Sequence, residues 1–109
     1  MFLNDFCKDF GIRTYSYQDS PELIQGFGLE EAAKQSDGFA LYYKNTPVVL
    51  FNADRPAMQI YFTVAHEIGH IVLGHVSFRN DLHKTRTDRA EIEADLFAVE
   101  AVPIGEKVV

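Results

Sequence analysis

The chain has a single cysteine, Cys7, in 109 residues. No intrachain disulfide can hold it together, so its fold rests on packing, and a lone thiol fits a reducing compartment. No apolar run approaches the roughly 20 residues that span a bilayer. The opening MFLNDFCKDF sets acids among its phenylalanines and lacks a basic start followed by an unbroken apolar stretch, so it does not read as a signal peptide. Positive charge is scarce: ten Lys and Arg stand against sixteen Asp and Glu, a net charge of −6. That balance argues against a domain that grips nucleic acid by itself. The one basic cluster, Arg79, Lys84, Arg86 and Arg89, reads as a solvated loop, with a docking surface for an acidic partner segment as the sharper alternative. Repeats, low-complexity tracts and linkers are absent as well. The expectation is a soluble, cytoplasmic protein with one domain over residues 1–109.

What the chain does have is apolar surface to bury, 47% of residues, enough for one core at this length. Phe2, Leu3, Phe6 and Phe10 recur at helical spacing with Gly11 as a stop, which predicts a short N-terminal helix. Residues 12–18 alternate like a strand. Ser20 before Pro21 starts a second helix, running to residue 35 with a break near Gly26 and Gly28. Two β-rich runs, 39–43 and 48–51, flank KNTP and predict a hairpin. Pro47 then belongs at a turn, a strand start or an edge. A long helix runs from Pro56 to about Gly74. After the polar stretch VSFRNDLHKTRT, a last helix begins near Asp88 and ends before Pro103. This order predicts an α+β domain in which a small, mostly antiparallel sheet packs on a central helix, with a second long helix alongside.

The central helix contains VAHEIGHIVLGH. At about 100° per residue, Ala57, Ile60, Tyr61, Val64, Ile68, Ile71, Val72 and His75 fall in one stripe roughly 120° wide, the core face. His66 and His70 lie about 180° and 220° from its centre, with Glu67 between them and the stripe edge. Phe62 and Leu73 border the histidines, so the helix is predicted to be covered on two sides. Imidazoles four residues apart are one turn apart and can converge on one ion. Gly69 lies on that second side and permits close approach. Gly69 and Gly74 each weaken the helix by roughly 1 kcal/mol relative to alanine, and a helix made only for packing has little reason for them. HExxH also arises by chance, so the pair alone leaves open two polar residues in a buried helix. His75, on the core stripe, reads as a helix-end residue and not a ligand.

A catalytic zinc site takes three protein ligands and leaves a position open. The downstream candidates are His83, Asp88, Glu91, Glu93 and Asp95. Within DRAEIEADLFAVEAVP, the residues Ala94, Asp95, Ala98 and Val102 share the face of Glu91 within about 60°, and Glu93 points nearly opposite, with Glu100, toward solvent. The alanines allow a neighbouring helix to come close. Asp95, one turn after Glu91, could accept a hydrogen bond from the outer nitrogen of a liganding histidine. A competing role exists for Glu91: Asp88 and Glu91 form a D-x-x-E capping box. On this segment alone capping and ligation both fit, and the upstream HExxH tips the balance to ligation.

With these residues in place, the chain resembles the ImmA/IrrE-type metallopeptidases, a gluzincin-like family of bacterial and phage proteins. YFTVAHEIGHIVLGH is similar to the family's RFTLAHELGH, and EIEADLFAVEAVP to its E-x-x-A-N-x-F-A-x-x-L-L-x-P, with the likeness covering residues 12–103. The resemblance implies a minimal zincin-like fold, with His66, His70 and Glu91 holding one zinc ion per chain and Glu67 as the catalytic acid/base. Asp95 stands where the family usually has asparagine, and AVP where it has LLMP. Family members commonly cleave or inactivate helix-turn-helix repressors in phage or mobile-element induction or stress responses. The implied partner is therefore a helix-turn-helix repressor, with no direct binding to nucleic acid or membrane. In that chemistry residues 48–52 (Val48, Val49, Leu50, Phe51 and Asn52) could hold the substrate as an added strand. Tyr42, Tyr43, His83 and Arg86 are equal candidates for the oxyanion stabiliser. The alternatives are a metal-stabilised module that sequesters a repressor or antitoxin without proteolysis, and a relic that binds no metal.

Overall fold

The N-terminal phenylalanines wind into α1 (Phe2–Phe10), closed by Gly11 at φ +66°. A computed structural model describes this and the rest of residues 2–76 and 87–101. Strand β1 (Arg13–Ser16) follows, then two short helices, α2 (Pro21–Gly26) and α3 (Glu30–Gln35), separated at the expected glycines. The hairpin is β2 (Gly38–Tyr43) and β3 (Thr46–Phe51), and the long helices are α4 (Ala57–Val72) and α5 (Asp88–Ala101). The predicted α+β class holds.

The hairpin turn is tighter than KNTP suggests. Lys44 and Asn45 alone form it, with φ +49° and +66°, and Tyr43 pairs with Thr46 across it. Two successive left-handed residues are what a twisted two-residue hairpin needs. Left-handed geometry is unfavourable for residues with a Cβ. The double change Lys44→Asn, Asn45→Gly is expected to raise the unfolding free energy by about 1 kcal/mol, read as a higher urea midpoint.

Strand order is β1-β3-β2, with β3 antiparallel to β2 and parallel to β1. The sheet is therefore mixed, with one pairing of each kind. Pro47 lies in β3, yet pairing with β1 begins only at Val48, so its missing N–H removes no bond to that neighbour. The central place of β3 corrects the expectation that Val48, Val49, Leu50, Phe51 and Asn52 receive substrate as an added strand. Val48–Phe51 are flanked by a strand on each side, and Val48, Val49 and Leu50 are buried. Asn52 is a corner, its backbone N–H bonded to the Asp37 carbonyl at 2.8 Å and its side-chain oxygen accepting from Gln18.

Alternate β3 residues face two cores. Val49, with Ala40 of β2, belongs to one core with Ile68 and Ile71 of α4, Leu3 of α1 and Ala98 of α5. Val48 and Leu50 face the other way, onto Ile24 and Leu29 around α2 and α3. A strand buried on both faces reads as a continuous apolar run, not an alternation. The result is a layer of short helices, the sheet, α4 across its other face, and α5 against α4. Within α4 the stripe residues Ile68 and Ile71 are buried, whereas Ala57 is exposed. Among the described residues no helix is long and apolar enough to cross a membrane. His83, Arg86, Arg79, Lys84 and Val102 lie outside the described residues; the Arg89 side chain is exposed.

Candidate metal centre

Helices α4 and α5 meet closely because one presents glycine and the other alanine. A Cβ at Gly69 would lie 3.0–3.1 Å from the Phe97 ring and Cβ, tighter than ordinary contact, and Ala94 and Ala98 are fully buried. This approach carries α5 onto the face of α4 that bears the histidines. The α5 terminus is capped by Thr87: its hydroxyl accepts from the Ala90 N–H at 3.1 Å and its carbonyl from the Glu91 N–H at 3.1 Å. The competing Asp88–Glu91 capping box is therefore not what closes the helix start. Thr87 serves as the cap, and the Glu91 carboxylate is turned to the histidines instead.

His66, His70 and Glu91 each bring one ligand atom into a cluster whose members lie within 4.8 Å of one another. The two Nε2 atoms are 3.0 Å apart, with the rings nearly perpendicular at 82°. Glu91 Oε2 is 3.0 Å from His66 Nε2, and Oε1 is 3.2 Å from His70 Nε2. Ligands about 2.0–2.1 Å from a tetrahedral first-row ion such as zinc stand roughly 3.3 Å from each other, so these spacings match one coordination shell. Proton placement supports the same fit. His66 Nδ1 is 2.7 Å from Asp95 Oδ1, and an ionised carboxylate only accepts, so Nδ1 donates. With the ring neutral, the Nε2 lone pair then faces the Glu91 carboxylate at 3.0 Å, an arrangement of acceptors that a bound cation accommodates.

Glu67 is buried on the flank of α4 nearest the start of β2. Gly38 explains how it fits: a Cβ there would stand 2.7 Å from Thr63 Cγ2, 3.1 Å from Glu67 Cγ and 3.5 Å from the Leu50 carbonyl. Gly38→Ala is expected to lower stability by about 1–3 kcal/mol through overpacking, measured by urea unfolding. Beside this contact, Asp37 accepts from Gln59 at 2.9 Å and pairs with Arg55 at 3.3 Å, tying the approach to α4 to the head of β2. The Tyr17 hydroxyl donates to the Ser36 carbonyl at 3.0 Å. Burial, reinforced by the Glu67 and Asp37 charges, pushes the Tyr17 phenol above its ordinary value, so it stays a neutral donor.

Two expectations change. His75 does not continue the α4 core stripe. Gly74 takes φ +76°, its N–H bonds the Ile71 carbonyl, and the His75 N–H bonds the His70 carbonyl at 2.8 Å. These are the two bonds of a Schellman helix end, which folds His75 back over the histidine face. His75 Nδ1 lies 2.9 Å from His70 Nδ1. Glu93, expected to face solvent, places Oε1 3.0 Å from His75 Nε2. The signal that could have revealed both is Gly74, read as a helix terminator instead of a weak helix residue. Of the oxyanion candidates, Tyr43 meets Phe27 edge-on at 5.8 Å, on the sheet face away from α4. Tyr42 lies half-buried on the opposite face.

Comparison with known families agrees with this geometry. The family model for the IrrE N-terminal-like domain, a peptidase family, matches residues 7–102, a span that includes the sheet, the histidine helix and Glu91. No curated protein and no solved structure matches the chain. The chain belongs to the IrrE N-terminal-like domain family, a family of metallopeptidases.

Proposed function

We propose that the chain is a zinc-dependent endopeptidase that hydrolyses a peptide bond in a protein substrate, with a helix-turn-helix repressor as the substrate class. The observation that carries the reading is the convergence of His66 Nε2, His70 Nε2 and a Glu91 oxygen, with the buried carboxylate of Glu67 on the same helix. His66, His70 and Glu91 would hold the ion. Once bound, it supplies Lewis acidity that polarises the scissile carbonyl and makes water a better acid. Glu67 takes a proton from the attacking water on a carboxylate oxygen as the water adds to the carbonyl carbon, then returns it to the leaving nitrogen as the C–N bond breaks. Asp95 fixes the His66 ring through Nδ1, the usual task of a carboxylate behind a metal-bound imidazole. With β3 enclosed in the sheet, the head of β2, where a Cβ at Gly38 would meet Glu67, is the strand segment assigned to the substrate side.

The reading is tested by incubating the zinc-loaded chain with helix-turn-helix repressors, the substrate class proposed. Cleavage that stops on chelation and returns with zinc is the expected outcome. An intact repressor held in a stable complex would replace this reading with a metal-stabilised sequestering module.

A further inference from the structure

The outer side of His70 is held differently from that of His66, and the difference assigns work to two residues outside the ligand set. This inference rests on the metal site proposed above. A histidine that gives its Nε2 lone pair to an ion while neutral must carry its proton on Nδ1. For His66 the acceptor of that proton is the Asp95 carboxylate. At His70 Nδ1 the facing atom, 2.9 Å away, is Nδ1 of another imidazole, His75. An imidazole nitrogen can donate or accept, so His75 helps only if its own proton sits on Nε2. Its Nε2 lies 3.0 Å from Glu93 Oε1, and a carboxylate accepts only. The chain of donors then has one direction for a neutral pair: His75 Nε2–H to Glu93, and His70 Nδ1–H to His75 Nδ1. His70 Nε2 is left with its lone pair turned to the Glu91 cluster.

We propose that His75 and Glu93 are positioning residues of the metal centre, a relay that locks the His70 tautomer and ring for ligation. The Schellman turn at Gly74 is the device that brings His75 there, since its N–H bond to the His70 carbonyl seats the two residues together. The His70 ring is fully buried and the His75 side chain is 12% exposed, so solvent is a poor substitute at His70 Nδ1 for the His75 acceptor. A partner of this kind typically contributes 10- to 100-fold to metal affinity.

The test uses the full chain and zinc, with affinity measured by competition against a chromophoric chelator. His75→Leu is expected to weaken zinc binding about 10- to 100-fold. His75→Asn places an amide oxygen near the former Nδ1 and should recover most of that loss. Glu93→Leu should weaken binding less than His75→Leu, and adding it to His75→Leu should change nothing further, because the two act in series. Nitrogen-15 NMR of the zinc-loaded native chain provides a readout independent of any variant's folding. It should place protons on His70 Nδ1 and His75 Nε2. A His75 proton on Nδ1, or native affinity in folded His75→Leu, overturns the relay, whereas a His70 proton on Nε2 overturns ligation through that atom. A native chain that binds no zinc overturns the metal site itself, and the relay with it.

Discussion

Glu67→Gln is expected to leave zinc content and thermal stability near the native values while peptide cleavage falls roughly 100- to 10,000-fold, the usual contribution of general acid–base catalysis. The glutamine side chain has nearly the same shape, so it fits the buried position between α4 and Gly38. It cannot take the proton from the attacking water. The ligand cluster is formed by His66, His70 and Glu91 and does not include residue 67, so metal binding should survive. Single-turnover cleavage of the repressor substrate, with zinc quantified in the same sample, separates the two effects. Undiminished cleavage would remove Glu67 from the mechanism.

The second large effect belongs to Glu91. Structural zinc contributes about 10–16 kcal/mol when bound by four ligands, so one ligand accounts for roughly 3 kcal/mol, a factor of about 150 in affinity. Glu91→Ala should therefore bind zinc about 150-fold more weakly. Thr87 supplies the cap of α5, and the Glu91 side chain is 44% exposed. The metal-free variant should consequently stay within about 1 kcal/mol of the native chain. Thermal melts convert this into a readable difference. At zinc 1,000-fold above the native Kd the native chain gains about 4 kcal/mol, and the variant about 1 kcal/mol. Equal zinc stabilisation in both proteins would exclude Glu91 as a ligand.

The parts of the molecule that were legible from sequence are those set by periodicity. The 3.6-residue repeat placed His66 and His70 off the core stripe of α4 and grouped Glu91 with Asp95, Ala94 and Ala98 on α5. The structure brings those two faces together, with Gly69 against Phe97. Where periodicity ends, angular reasoning ended too. His75 lies beyond a left-handed glycine, and its position comes from the backbone bonds of the helix end, not from rotation by 100° per residue. Glu93 was misplaced for a related reason. Its angle relative to Glu91 was sound, but the space on that side contains a histidine that α4 does not place there by helical winding. The Thr87 cap was masked by the equally plausible D-x-x-E pattern one residue later. The substrate strand was misread because VVLF was treated as half of an isolated hairpin, whereas four successive apolar residues are the mark of a strand covered on both faces. The parallel partner β1, distant in sequence, left no local signature of its register.

Two imidazoles and one carboxylate of this chain are proposed to share a single ion. X-ray absorption at the zinc edge of the loaded and desalted native chain tests it most directly. One zinc per chain is expected, with two imidazoles in the shell, oxygen donors completing it, and distances of about 2.0–2.1 Å. No retained zinc, or a shell with sulfur from Cys7 or with fewer than two imidazoles, would contradict it.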